Sequence, residues 1–344
     1  MAAPHRRSHG GAQHAQQLGS STWRHRTREA MPPDYARLID AETWDFIRLS
    51  ESYYPPDTAT YDIAGQRRVY DRMCRAFYRG RPEGLSIEDR AFGGVPCRIY
   101  TPQNSRRATV VYFHGGGFVL GGLESHDDIC AEIAATCGLH VISVDYRLAP
   151  EHRHPAHFDD ALAATKAVAQ VFSGPLVLVG DSAGGNLAAA VSHAVRDGGP
   201  AVAGQVLIYP GLGGDQGRGS YVTHAMAPML TKADIDYYAK ARFAEGHDGN
   251  GDVTVKPLHD RDFTGLPPTV AIGAECDPHY DDAGAYAARI RAAGGEAVAW
   301  VEPGLVHGYL RARRTVTRAG QSFARITSAI TTLSNARLPE APDL

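Results

Sequence analysis

The sequence predicts an α/β protein, a mostly parallel sheet with helices on both faces, and three observations carry that prediction. From about residue 85 onward, short runs of β-branched and aromatic residues alternate with runs whose apolar residues recur at helical spacing. Apolar strands separated by helices belong to parallel sheets covered on both sides. Two of these strands run directly into glycine-rich turns, at residues 114–117 and 180–185. The 344 residues are 43% apolar and 21% charged, which suits one large domain with an appendage and excludes wholesale disorder.

Each element has its own signal. Residues 85–91 and 95–100 read as strands joined through Gly93 and Gly94, a two-residue hairpin turn, and Pro96 places the second of them at a sheet edge. Residues 109–113 (TVVYF) are an apolar strand. Residues 125–137 read as a helix with Ser125 as its cap, Asp127 and Asp128 at its positive end, Ile129 and Ile133 one turn apart, and Gly138 as its stop. The cycle repeats with strands at 140–144, 176–179, 205–209, 269–272 and 298–301. The helices between and after them fall at 158–171, 183–196 and 286–293, and a last one places Phe323, Ile326, Ile330 and Leu333 on one stripe.

Two stretches break the rhythm. Residues 31–84 hold helical pieces rich in aromatics, and residues 211–258 form a long insertion containing Thr231 and Asp234 at capping-box spacing. A structureless loop of that length is unusual inside a domain, so both stretches are expected to lie over one end of the sheet. The expected organisation is therefore a core at 85–210 and 259–344, interrupted by caps at 31–84 and 211–258. Residues 1–30, with five Arg and four His against one Glu, read as a disordered tail or an upstream extension, and a transit peptide is the weaker alternative.

Composition narrows the function classes. With 35 basic and 38 acidic residues the net charge is −3, which offers no field for a nucleic-acid partner. No apolar run approaches the ~18–20 residues of a membrane span. Five cysteines, an odd count with no CxxC pair, argue against a disulfide framework and for a reducing, cytoplasmic setting.

The chemistry sits in the glycine-rich turns. The strand at 176–179 enters Gly180-Asp181-Ser182-Ala183-Gly184-Gly185 and then a helix. At such a junction the central residue takes a strained conformation, and Ser182 would stand above the sheet at the positive end of the helix. The bland alternative is a tight turn whose serine merely caps that helix. The strand ending at Phe113 opens into His114-Gly115-Gly116-Gly117-Phe118. Consecutive glycines there let backbone N–H groups converge on the oxygen that becomes charged in a tetrahedral intermediate. The rival use of such loops, phosphate cradling, lacks a GxxxxGK[ST] or GxGxxG pattern.

With these segments the chain resembles the hormone-sensitive-lipase-like (bacterial family IV) esterases of the α/β-hydrolase superfamily. The resemblance rests on the two turns just quoted and on Asp145-Tyr146-Arg147-Leu148-Ala149-Pro150-Glu151, and it spans roughly residues 33–335. It implies an α/β-hydrolase fold: an eight-stranded, mostly parallel sheet with a helical cap from the N-terminus and from an insertion after the sixth strand. It also implies a nucleophile–acid–histidine order along the chain. The family's acid opens a DPxxD pattern, matched by Asp277-Pro278-His279-Tyr280-Asp281. Asp277 is the choice, with Glu275 and Asp281 as weaker candidates. Residues 279 and 280 depart from the Leu-Arg common there. His307, flanked by Gly308 on a loop after the last strand, is the implied base. The oxyanion donors expected are the N–H groups of Gly115, Gly116 and Ala183.

The function expected is a serine carboxylesterase acting on small, uncharged esters of short to medium acyl chain, with no metal or organic cofactor. Tyr221, Met226, Met229, Leu230, Tyr237 and Tyr238 are the candidate substrate-binding lid, with Leu305 and Val306 beside the histidine. His152, His154 and His157 form an HxHxxH string, but their place in a variable loop argues against a zinc site. An amidase or N-acetyl hydrolase would use the same triad. A non-catalytic receptor of this fold, as in the plant gibberellin receptors, lacks the histidine that is present here. A homodimer through the last strand and its helix is implied by the family alone.

Overall fold

The computed structural model describes residues 33–340; the tail expected over residues 1–30 lies outside them. β1 (Leu85–Phe92) and β2 (Val95–Pro102) form the predicted hairpin, and β2 then pairs antiparallel with β4 (His140–Val144). β3 (Thr109–Phe113), β5 (Leu176–Asp181), β6 (Val202–Ile208), β7 (Thr269–Cys276) and β8 (Ala297–Val306) run parallel to β4. The eight strands make one sheet in the order β1-β2-β4-β3-β5-β6-β7-β8. The mostly parallel eight-stranded sheet expected from the sequence is therefore present. Pro96 does not mark an edge, because β2 lies between β1 and β4. Proline is tolerated there because it stands second in the strand and β4 pairs only from Cys97 to Tyr100, so no ladder bond to β4 needs its missing N–H.

The central strands show why continuous apolar runs predicted burial on both faces. Val110 and Tyr112 of β3 belong to one core cluster and Val111 and Phe113 to the other, and all four are fully buried. Successive side chains of a strand point to opposite faces, and each such burial stabilises the fold by roughly 1.5–3 kcal/mol. One cluster packs under α2 (Ala41–Glu51), α3 (Ile63–Phe77), α4 (Asp127–Cys137) and α10 (Thr317–Leu333). The other packs under α5 (Ala156–Val171), α6 (Ala183–Val195) and α9 (Tyr280–Ala292).

α4 ends as predicted, with Gly138 in the left-handed conformation at φ 63°. Its start differs. Ser125 sits in a 3₁₀ turn and its Oγ is occupied by both backbone groups of Gly122 and by His126, so it does not cap the helix. The two irregular stretches hold α1 (Tyr35–Leu38), α2 and α3 on one side, and α7 (Ser220–Thr223) and α8 (Lys232–Arg242) on the other. They touch through polar contacts: the Tyr237 hydroxyl donates to Gln66 Oε1 at 2.8 Å, and the Tyr35 hydroxyl lies 3.1 Å from His224 Nδ1. The Thr231–Asp234 pair makes a complete capping box at the start of α8. All five cysteines are buried and unpaired, and burial pushes the thiols of Cys74 and Cys276 up to about 11 and about 12. Among the described residues no helix is long and apolar enough to cross a membrane.

Candidate active site

β3, β5, β7 and β8 are parallel, so the segments that leave their carboxyl ends emerge at one end of the sheet, where ligands bind in folds of this kind. Ser182 follows β5 directly at φ 54° and ψ −118°, a strained conformation that costs of order 1–3 kcal/mol. Its N–H is held by the Ile208 carbonyl of β6 at 2.9 Å. The turn closes so tightly that a Cβ at Gly180 would collide with the backbone of Gly184, and one at Gly184 with the Phe113 carbonyl. Glycine at both positions is therefore a steric requirement.

Ser182 Oγ lies 2.8 Å from His307 Nε2, and His307 Nδ1 lies 2.6 Å from Asp277 Oδ2. Asp277 is fully buried. Burial alone would raise its pKa, but His307 and the His279 N–H, which donates to Oδ1 at 2.8 Å, hold the carboxyl below its ordinary value. An ionised Asp277 accepts from Nδ1–H, which leaves Nε2 free to accept from the serine hydroxyl. The two weaker acid candidates stand elsewhere. Glu275 accepts from the Gly304 N–H, and Asp281 from the Ser220 N–H.

The oxyanion residues need one correction. Gly115 N–H already donates to Asp181 Oδ1 at 3.0 Å and is not exposed to the cavity. Gly116 and Gly117 line the cavity beside Ala183, the first residue of α6, whose N–H has no partner within its own helix. Sequence reasoning missed Gly117 because three adjacent glycines look alike. What separates them is the carboxylate of Asp181, which accepts from the Tyr112 hydroxyl (2.7 Å) and the Gly115 N–H and lies beside His126.

A cavity of about 1240 Å³ covers Ser182 and His307. Of the expected lid, Tyr221, Met229, Leu230 and Tyr238 line it. Met226 is 74% exposed on the outside, and Tyr237 points away to Gln66. Neighbours in a helix are about 100° apart, so Tyr237 and Tyr238 cannot both face inward. Leu305 and Val306 are also corrected: both are the last residues of β8 and are buried in the core. Tyr54, Tyr70 and Met73 from the N-terminal stretch line the cavity unforeseen, as do His279, Arg242 and Arg311. The departure of residue 279 from the family pattern was the one available signal for His279. Its Nδ1 lies 3.0 Å from the Tyr221 hydroxyl, which donates to the buried Asp282.

The HxHxxH string is spent on other contacts. His154 Nε2 lies 3.1 Å from Asp252, His157 Nε2 accepts from Arg242 Nε at 2.9 Å, and His152 is exposed. Among the described residues no group of three or more His, Cys, Asp or Glu is placed to hold a metal ion.

A family model described as the alpha/beta hydrolase fold matches residues 110–311. The carboxylesterase NlhH of Mycobacterium tuberculosis is 38% identical over 264 residues, covering 72% of this chain and 82% of its own. An acetyl esterase of Salmonella typhi is 32% identical over 311 residues, covering 85% and 93%. Among solved structures, an ester-hydrolase from the metagenome of Lake Arreo superposes with a TM-score of 0.77 at 32% identity, covering 85% of this chain and 98% of that one. An esterase of the bacterial hormone-sensitive lipase family gives 0.78 at 27% identity, covering 86% and 99%.

Proposed function

We infer, for a chain that belongs to the α/β-hydrolase fold family as a carboxylic ester hydrolase of the hormone-sensitive-lipase type, that catalysis runs through Ser182, His307 and Asp277. The observation that carries this reading is the unbroken line of contacts from Asp277 through both nitrogens of His307 to Ser182 Oγ. Ser182 Oγ attacks the ester carbonyl as its proton passes to His307 Nε2. Asp277 fixes the tautomer and stabilises the imidazolium that results. The N–H groups of Gly116, Gly117 and Ala183 receive the charge on the carbonyl oxygen. His307 then gives the proton to the departing alkoxide, and the alcohol leaves an acyl-serine. Water, deprotonated by the same imidazole, attacks that ester, and the carboxylic acid departs with Ser182 restored.

Residues 31–84 and 211–258 act in this reading as the cap that sets substrate choice. The breadth of the cavity and its Tyr70, Met73 and Met229 walls suit acyl chains of short to medium length, since methionine adapts to irregular groups. Ser182→Ala should lower kcat on p-nitrophenyl acetate by ~10⁴–10⁶-fold and abolish labelling by a fluorophosphonate. A Ser182→Ala protein that still labels or turns over near the wild-type rate overturns the nucleophile.

A further inference from the structure

One wall of the substrate cavity carries a cation without a counterion. Arg242, the last residue of α8, is only 5% exposed yet lines the same cavity as Ser182. Its Nε donates to His157, and its guanidinium carbon lies 3.6 Å from the centre of the Phe118 ring and 5.2 Å from that of Phe243. Nη2 is buried with no hydrogen-bond partner, and no carboxylate of the described residues forms an ion pair with it. The nearby Asp252 is taken by His154 and Thr254.

The other deeply buried arginines of the fold are paired: Arg98 with Asp89 and Asp127, Arg313 with Asp128 and Glu132. Arg311, also on the cavity wall, spends its nitrogens on the Ser125 carbonyl and the Tyr70 hydroxyl. Unlike Arg98, Arg313 and Arg311, Arg242 keeps a buried nitrogen, Nη2, with no partner. Stacking on an aromatic ring offsets only part of the cost of burying a charge, and burial pushes this guanidinium down to about 9. A planar, forked donor of this kind matches a carboxylate.

Its position relates it to the reacting carbonyl. Phe118 directly follows the oxyanion glycines, and Tyr238, one turn before Arg242 on α8, packs against Gly117. Gly116, Gly117, Phe118, Tyr238 and Arg242 thus line one and the same cavity.

We propose that Arg242 is an anion-binding group of the cavity and that the preferred substrates are esters bearing a free carboxylate, such as monoalkyl esters of dicarboxylic acids. This rests on the serine-esterase reading and replaces the expectation of uncharged esters. The test compares monoethyl and diethyl esters of succinate, glutarate and adipate with the full-length protein. At one chain length or more the monoester should equal or exceed its diester in kcat/KM, with the gain in KM. Arg242→Gln should lower that monoester-to-diester ratio by roughly 10- to 100-fold, and Arg242→Lys by less. Monoesters that lag their diesters by a hundredfold throughout, or a ratio unmoved by Arg242→Gln, overturn the proposal.

Binding to Ser182→Ala keeps the two readings apart and needs no Arg242 variant to fold. Calorimetric titration should show monoethyl adipate binding more tightly than diethyl adipate, with an affinity that falls between 50 and 500 mM salt, about as expected for an ion pair. Equal, salt-insensitive affinities overturn the anion site even if both esters are hydrolysed. If neither ester is hydrolysed by the wild type while the titration shows the salt-sensitive preference, the anion site stands and the esterase reading falls.

Discussion

Gly117 meets two demands at once, a left-handed backbone at φ 61° and the aromatic ring of Tyr238 lying where a Cβ would stand. Gly117→Ala must therefore twist the loop or push α8 outward, and either moves the N–H proposed to receive the charge on the carbonyl oxygen. The expected result is a fall in kcat of ~10²–10³-fold on p-nitrophenyl acetate, against a loss of stability near 1 kcal/mol from the strained backbone. A variant with wild-type kcat would show that the Gly117 N–H takes no part. The contrast with Gly115 illustrates how a single residue assigns its neighbours. Asp181 binds the Gly115 N–H and the Tyr112 and His126 side chains, and these contacts and the nearby Arg311 outweigh burial and keep its carboxyl ionised. It clamps the loop at 114–117 against the turn that carries Ser182.

α8 is short, and little of its stability is intrinsic, so its cap matters more than in the core helices. Its mean position is fixed by the Thr231–Asp234 box at one end and by the stacked Arg242 at the other. Removing the box with Thr231→Ala should cost about 1 kcal/mol, seen as roughly fivefold faster amide hydrogen exchange confined to α8. Uniform acceleration across the sheet would instead mean that the helix and the core open as one unit. Elements such as this also show what a sequence discloses. The core strands were legible because apolar runs are forced by burial on two faces. Ser182 and His307 stood out because their segments follow strand ends, whereas Asp277 was separated from Glu275 and Asp281 only by its match to the DPxxD pattern of the family the chain resembles. The inward faces of the insertion were not. Tyr237 and Tyr238 are equivalent as letters, and only the packing of α8 on Gly117 decides which lines the cavity. Leu305 and Val306 misled because β8 runs five residues further than its apolar pattern indicated, drawing both into the core. Arg242 was invisible for a related reason: a terminal helix arginine ordinarily faces water, and burial against Phe118 is a property of tertiary contact.

Over the whole molecule, buried imidazoles set the response to acid. Burial pushes His114 down to about 3, His157 to about 2, and His193 and His279 to about 4; His126, His140, His154 and His224 shift the same way. Between the unfolded value near 6.5 and those depressed values, the unfolded chain binds protons that the native chain refuses, so stability falls as pH falls. Asp282, pushed up to about 7 by burial, acts in the opposite sense over this range, and burial shifts Asp71, Asp145 and Glu302 in the same upward direction. Eight imidazoles outweigh four carboxyls. The urea midpoint should therefore drop steadily from pH 7 to pH 4.5, and a midpoint that rises over that interval would show the carboxyls dominating.

The five enclosed thiols have a practical corollary. Maleimides react with accessible thiolates, and the native chain presents none of its own. A Met226→Cys substitution, at a side chain already 74% exposed on the outer rim of the insertion, would create a single chemical handle. A fluorophore attached there would report on the surroundings of the insertion alone, with no background from the five enclosed thiols.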